Sequence, residues 1–126
     1  MVGVVRRAGY GEPVAEQADR ALDELCTAVR HAQGLLDDVL ARAEVVLGAR
    51  AEGQGYSDIV RASQGPLLVE VLTDVLDELA AAGARFRRAE ARVLHEDGLS
   101  QEAIGALFGV SRQRVSVLLQ DRSPAP

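Results

Sequence analysis

The stretch SQEAIGALFGVSRQRVSVLLQ, residues 100–120, decides how the C-terminal end of this chain folds. Ser100 is a helix N-cap residue, and residues 101–108 carry helical apolar spacing after it. Gly109, Val110 and Ser111 then form a three-residue turn, in which Ser111 caps a second helix over 112–120. Two helices joined so briefly meet at a steep angle, and the turn needs a residue able to adopt a left-handed backbone; Gly109 supplies it. The facing surfaces need apolar side chains, here Ile104, Phe108, Val110, Val115 and Leu118. Where the axes cross they need a small residue, here Gly105.

The outer face of the second helix offers Arg112, Gln113, Ser116, Val117 and Gln120. Arginine pairs in bidentate fashion with guanine, glutamine with adenine, and valine packs on the thymine methyl group. Arg114 and Arg122 suit backbone phosphates, which position a protein without specifying sequence. The helix N-terminus behind Ser111 itself attracts phosphate. Ser100 and Gln101, opening the first helix, complete the candidate DNA-contacting set. The longer segment RRAEARVLHEDGLSQEAIGALFGVSRQRVS, residues 87–116, resembles the helix-turn-helix of bacterial transcription regulators. It is closest to the tri-helical type of sigma factor region 4 and LuxR-type domains, and to small regulators of high-GC Gram-positive bacteria that end in such a unit. The resemblance covers about residues 84–122. It implies that 112–120 is the recognition helix and that double-stranded DNA is the partner. One departure is Gly105, where the family usually carries alanine. Residues 1–83 show neither a sigma region 2 nor a phosphoacceptor receiver pattern.

Working upstream, residues 86–97 form a helix with Phe86, Ala89, Val93 and Leu94 inward and Arg85, Arg87, Arg88 and Arg92 mostly outward, stopped by Gly98. A break or kink is expected over 80–83. Pro66 opens a helix rich in leucine and valine through Leu79, expected to be the central core helix with only a narrow solvent strip. A short helix over 58–63, capped by Ser57, turns Ile59 and Val60 inward. The sequence GYSDIV that opens it looks like the start of another helix-turn-helix. The helix after it is acidic and apolar, so that segment reads as structural.

From Pro13 a heptad pattern runs for five repeats. Ala15, Leu22, Val29, Leu36 and Ala43 fall at a, and Ala18, Leu25, Ala32, Val39 and Val46 at d, with no charge in the seam. Gly34 and Gly48 fall at f, on the outer face. The stripe broadens through Leu35, Leu40 and Leu47 at g and e. The pattern accommodates one helix over 13–50 or two shorter helices broken near Gly34, and sustained heptads favour the first. Such a helix is too long for one small domain to cover and reads as a dimerisation element, with Leu22, Leu25, Val29, Leu36, Val39, Leu40, Val46 and Leu47 as its contact residues. Cys26 reads as a small apolar residue beside the seam and His31 as a solvated one. Residues 1–12, with three glycines and no period, read as a flexible arm, and 123–126 as a tail.

Charge sharpens this division. Residues 1–83 hold seven arginines against fourteen acids, while 84–126 hold seven against five. Phosphates attract the second part and repel the first, although a net +2 makes one copy a weak binder. All fourteen basic residues are arginine. A lone cysteine and two histidines supply no disulfide or metal spacing, so no cofactor or metal is expected, and no cluster of nucleophile, base and orienting group suggests an enzyme. No apolar run suits a membrane span. The expectation is therefore an all-α protein in three parts: the arm, a helical dimerisation and core region over 13–83, and a DNA-binding domain over 84–122. It would be a cytoplasmic, nucleoid-associated homodimer reading an inverted repeat with heads about 34 Å apart. The alternative is a helical interaction module, such as an RNA polymerase or sigma-factor adaptor, that does not read DNA.

Overall fold

The computed structural model describes residues 12–120, and all regular structure among them is helical. The arm, except for Glu12, the tail and Arg122 lie outside the described residues. Five helices follow in order: α1 (Val14–Ala51), α2 (Tyr56–Ala62), α3 (Leu68–Glu96), α4 (Gln101–Phe108) and α5 (Arg112–Gln120). Two compact units share them. One comprises Glu24–Gly83, and the other joins the segment up to Asp23 with the segment from Ala84 onward.

α1 is one unbroken helix of 38 residues, roughly 57 Å long at ~1.5 Å per residue. Its first turn is anchored from outside. The Gln17 amide donates to the Pro13 carbonyl at 3.0 Å, the Gln17 side chain donates to the Glu12 carbonyl at 2.6 Å, and Arg20 pairs with the Glu12 carboxylate. The helix closes in a Schellman motif, in which Gln54 N–H reaches the Ala49 carbonyl at 3.1 Å and Gly53 N–H that of Arg50 at 3.0 Å. Gly34 and Gly48 are exposed and meet nothing within 4 Å. They cost helix propensity without removing packing, which is why neither ends the helix.

In the unit Glu24–Gly83, α1 and α3 run antiparallel: His31 Nδ1 lies 2.9 Å from a Glu78 carboxylate oxygen, and Arg42 donates to the Pro66 carbonyl. Ala28, Ala32, Val75 and Ala82 are its buried apolar residues. On α1 the covered positions are g and d. Ala28 and Ala32 are buried and Leu25, Leu35, Val39 and Val46 half-buried, whereas Val29, Leu36, Leu40 and Leu47 at a and e are exposed. The expected a/d seam is thus divided, because the apolar arc is wide enough to pack inward along one edge only. His31, expected to be merely solvated, is exposed but tied to Glu78.

α2 corrects the sequence reading. It begins at Tyr56, its N-cap is Gly55 with no side-chain cap, and none of its residues is buried; Ile59 is half-buried and Val60 exposed. Arg50 closes the turn before it, donating to the Gln54 carbonyl at 2.7 Å and stacking over Tyr56 at 4.7 Å.

α3 begins at Leu68, two residues after Pro66, where the Glu70 carboxylate accepts the Leu67 N–H at 3.2 Å in the manner of half a capping box. It then runs without interruption through residues 80–83. Three alanines are strong helix formers, Ala82 is almost wholly buried, and their combined preference outweighs the ~1 kcal/mol cost of Gly83. Nor is α3 the expected core helix with a narrow solvent strip, for Val69 and Leu76 are 71% and 65% exposed.

Candidate nucleic-acid interface

The second unit ends in α4 and α5. α3 stops at Gly98, whose φ of +106° puts it in a region that residues bearing a Cβ avoid. Leu99 N–H closes on the Leu94 carbonyl and Gly98 N–H on that of His95, both at 3.0 Å. Ser100 then caps α4, its Oγ accepting the Ala103 N–H at 3.1 Å. Ser111 caps α5 in the same way, accepting the Arg114 N–H at 3.0 Å. Each cap contributes about 1 kcal/mol.

Between the caps, the chain turns at Gly109, in the left-handed region at φ 70°, ψ 30°. Its N–H and that of Val110 both converge on the Gly105 carbonyl, the latter at 3.0 Å. Gly105 is itself buried. A Cβ there would stand 2.7 Å from the Val110 carbonyl oxygen and 3.5 Å from the Arg112 nitrogen, all of it backbone. The small residue is therefore demanded by close approach of the second helix's entry to the first. Ile104, Val115 and Leu118 are buried around this crossing and Phe108 is half-buried. Val110, expected inward, is 38% exposed, because the turn gives its carbonyl rather than its side chain to α4.

Helical periodicity sets what α5 shows outside. With Val115 and Leu118 inward, Gln113, Val117 and Gln120 point the opposite way and are exposed, Val117 by 47%. Arg112 and Arg114 are exposed on either flank at the helix start, and Ser116 is half-buried beside Arg112. No acid occupies the first turn of α5, so its amide dipoles and two guanidiniums add with the same sign. Ser100 is exposed and Gln101 half-buried at the start of α4. Of the candidate set, the structure thus gathers Arg112, Gln113, Ser116, Val117 and Gln120 on one helix. It gives Ser100 and Ser111 defined capping duties.

One residue of the site was not readable in advance. The guanidinium of Arg87, on α3, lies 4.1 Å over the Phe108 ring and 3.8 Å from the Glu90 carboxylate. It ties α3 to the end of α4 next to the turn, a contact worth about 0.5–1 kcal/mol at an exposed site. An arginine and an aromatic residue so far apart in sequence carry no local signal of it.

Among the described residues, no group of three or more His, Cys, Asp or Glu side chains is arranged to hold a metal ion, and no helix is long and apolar enough to cross a membrane. No family model matches the sequence, and no curated protein or solved structure is significantly similar to it.

Proposed function

We propose that this protein is a transcription regulator that binds double-stranded DNA sequence-specifically, as a homodimer, with α5 as the recognition helix of a helix-turn-helix. The observation that carries the reading is the packing of α4 on α5. Two serine caps, a left-handed Gly109 and the backbone approach at Gly105 hold the pair, and none of them uses Gln113, Val117 or Gln120. Those side chains, with Arg112 and Ser116, are available to base edges in a major groove, while Arg114 and the helix N-terminus suit phosphate. The charge division supports it, since the cations outnumber the acids only in the part that contains α4 and α5. A net +2 there is small, so two heads on an inverted repeat are needed for useful affinity.

The test is a mobility-shift assay on DNA fragments selected from random sequence by the purified protein. The double variant Arg112→Ala/Gln113→Ala is expected to lose specificity by about 2–5 kcal/mol, with residual salt-dependent binding retained. Unchanged specificity would refute α5 as the reading helix. No salt-dependent affinity for any duplex would refute DNA binding and leave a helical docking module for another protein, such as RNA polymerase.

A further inference from the structure

Within the unit Glu24–Gly83 the α1–α3 hairpin has two flanks, and the one that carries His31 shows the exposed Val45 as its large apolar residue on α1. On one, His31 meets Glu78. On α1, position c, which carries His31, lies to one side of the g and d positions that pack inward; a and e lie to the other. On α3, Glu78 lies to one side of the inward row of Leu72, Val75, Leu79 and Ala82, and Val69 and Leu76 lie to the other. In an antiparallel pair these flanks match. The exposed residues Val29, Leu36, Leu40 and Leu47 of α1 and Val69 and Leu76 of α3 therefore share one face, turned away from the His31–Glu78 bridge. The register given by 31 with 78 and 42 with 66 sets Val29 level with Ala80, Gln33 with Leu76, and Leu36 with Thr73. The same register sets Leu40 level with Val69, so the two helices bring large apolar side chains side by side at that level.

This face carries no charge, although residues 24–83 hold four arginines and ten acids. Its exposure is large: Leu40 and Leu47 are each 64% accessible, Leu76 65% and Val69 71%. These six side chains offer several hundred square ångströms, the larger part of the about 800 Å² per partner that a stable dimer buries. The rim carries Arg30 among the acids Asp37, Glu44 and Asp77, a net negative border that disfavours nucleic acid or an anionic membrane as the occupant. An uncharged face of exposed leucine and valine side chains can bury itself against a second copy about a two-fold axis, the same patch serving on both subunits.

We infer that this face is where a second copy of the chain docks, the two hairpins closing into a four-helix bundle. The interface uses Val29, Leu36, Leu40 and Leu47, from the a and e rows of α1, together with Val69 and Leu76 of α3. The inference rests on the dimer proposed above and assigns its surface.

Analytical ultracentrifugation of the full chain tests it. The wild-type protein is expected to sediment as a dimer at micromolar concentration, and Leu40→Glu/Leu76→Glu as a monomer. Dimer affinity should fall at least about a hundredfold, because each carboxylate would be buried without a partner. Helicity should persist, since both positions are exposed within one chain. If circular dichroism shows it lost, the single variants Leu40→Gln and Leu76→Gln carry the test, each expected to weaken the dimer about tenfold. His31→Gln/Glu78→Gln, on the opposite flank, should sediment as wild type. Raising salt should leave the dimer unchanged or tighten it by screening the acidic rims. A wild-type monomer, a dimer that survives both carboxylates, or a dimer that dissociates in salt would each overturn the inference. DNA reading is scored separately. Arg112→Ala/Gln113→Ala should remain dimeric, and the monomeric variant should still bind a half-site at raised concentration.

Discussion

Gly105 shows how a single missing carbon sets local geometry. A Cβ at this position meets the Val110 carbonyl at 2.7 Å, and because both sides of that contact are backbone, relief requires the entry to α5 to move. Alanine would add about 1 kcal/mol of helix propensity, but crowding in a packed site costs about 1–3 kcal/mol, so crowding wins. Gly105→Ala is expected to destabilise the protein by up to about 2 kcal/mol in denaturant unfolding and, under the proposed function, to weaken DNA binding by displacing α5. Equal or greater stability would mean that the crossing is looser than it looks. The residues of this turn were the most legible part of the sequence, because each has a local requirement: a hydroxyl before a helix, a glycine where φ is positive, a small side chain at a crossing. Arg87 was not legible, since its partner Phe108 is brought near only by the fold.

At the level of elements, the limits of legibility have a common cause. Periodicity reports how wide an apolar arc is and says nothing of which edge packs inward. The a/d rows of α1 were therefore visible, but their division into a covered g/d edge and an exposed a/e edge was not. Likewise, residues 80–83 present a glycine in a weakly patterned stretch, and the burial of Ala82, added to the helix preference of the three alanines, explains why α3 passes through. α2 was legible as a helix though not in its packing, for it buries nothing. Gly34 and Gly48 give the element its own prediction. A Cβ at either meets nothing within 4 Å, so Gly34→Ala/Gly48→Ala should stabilise α1 by about 1–2 kcal/mol in total, read as a higher denaturation midpoint. A lower midpoint would indicate that the f face is occupied in the assembled protein.

For the molecule as a whole, the buried apolar residues are mostly alanine. Ala21, Ala28, Ala32, Ala82, Ala89 and Ala91 stand beside only Val75, Ile104, Val115 and Leu118 among the described residues. Alanine allows helices to approach closely but removes little apolar area from water, so one chain alone gains modestly from its own packing. Under the proposed dimer, association should supply much of the stability. The thermal midpoint is expected to rise by a few degrees per tenfold increase in protein concentration, and the Leu40→Glu/Leu76→Glu variant should show no such rise. A concentration-independent wild-type midpoint would count against a dimer. The backbone crossing at Gly105 leaves the outer face of α5 open to change, in evolution as in engineering. The contacts that aim α5 run through main chain, caps and the inward side chains, while Gln113, Val117 and Gln120 point the opposite way and take no part in the caps or the turn. Under the proposed function, target preference can therefore be rewritten at these three positions, one base step at a time, without reopening the question of whether the protein folds.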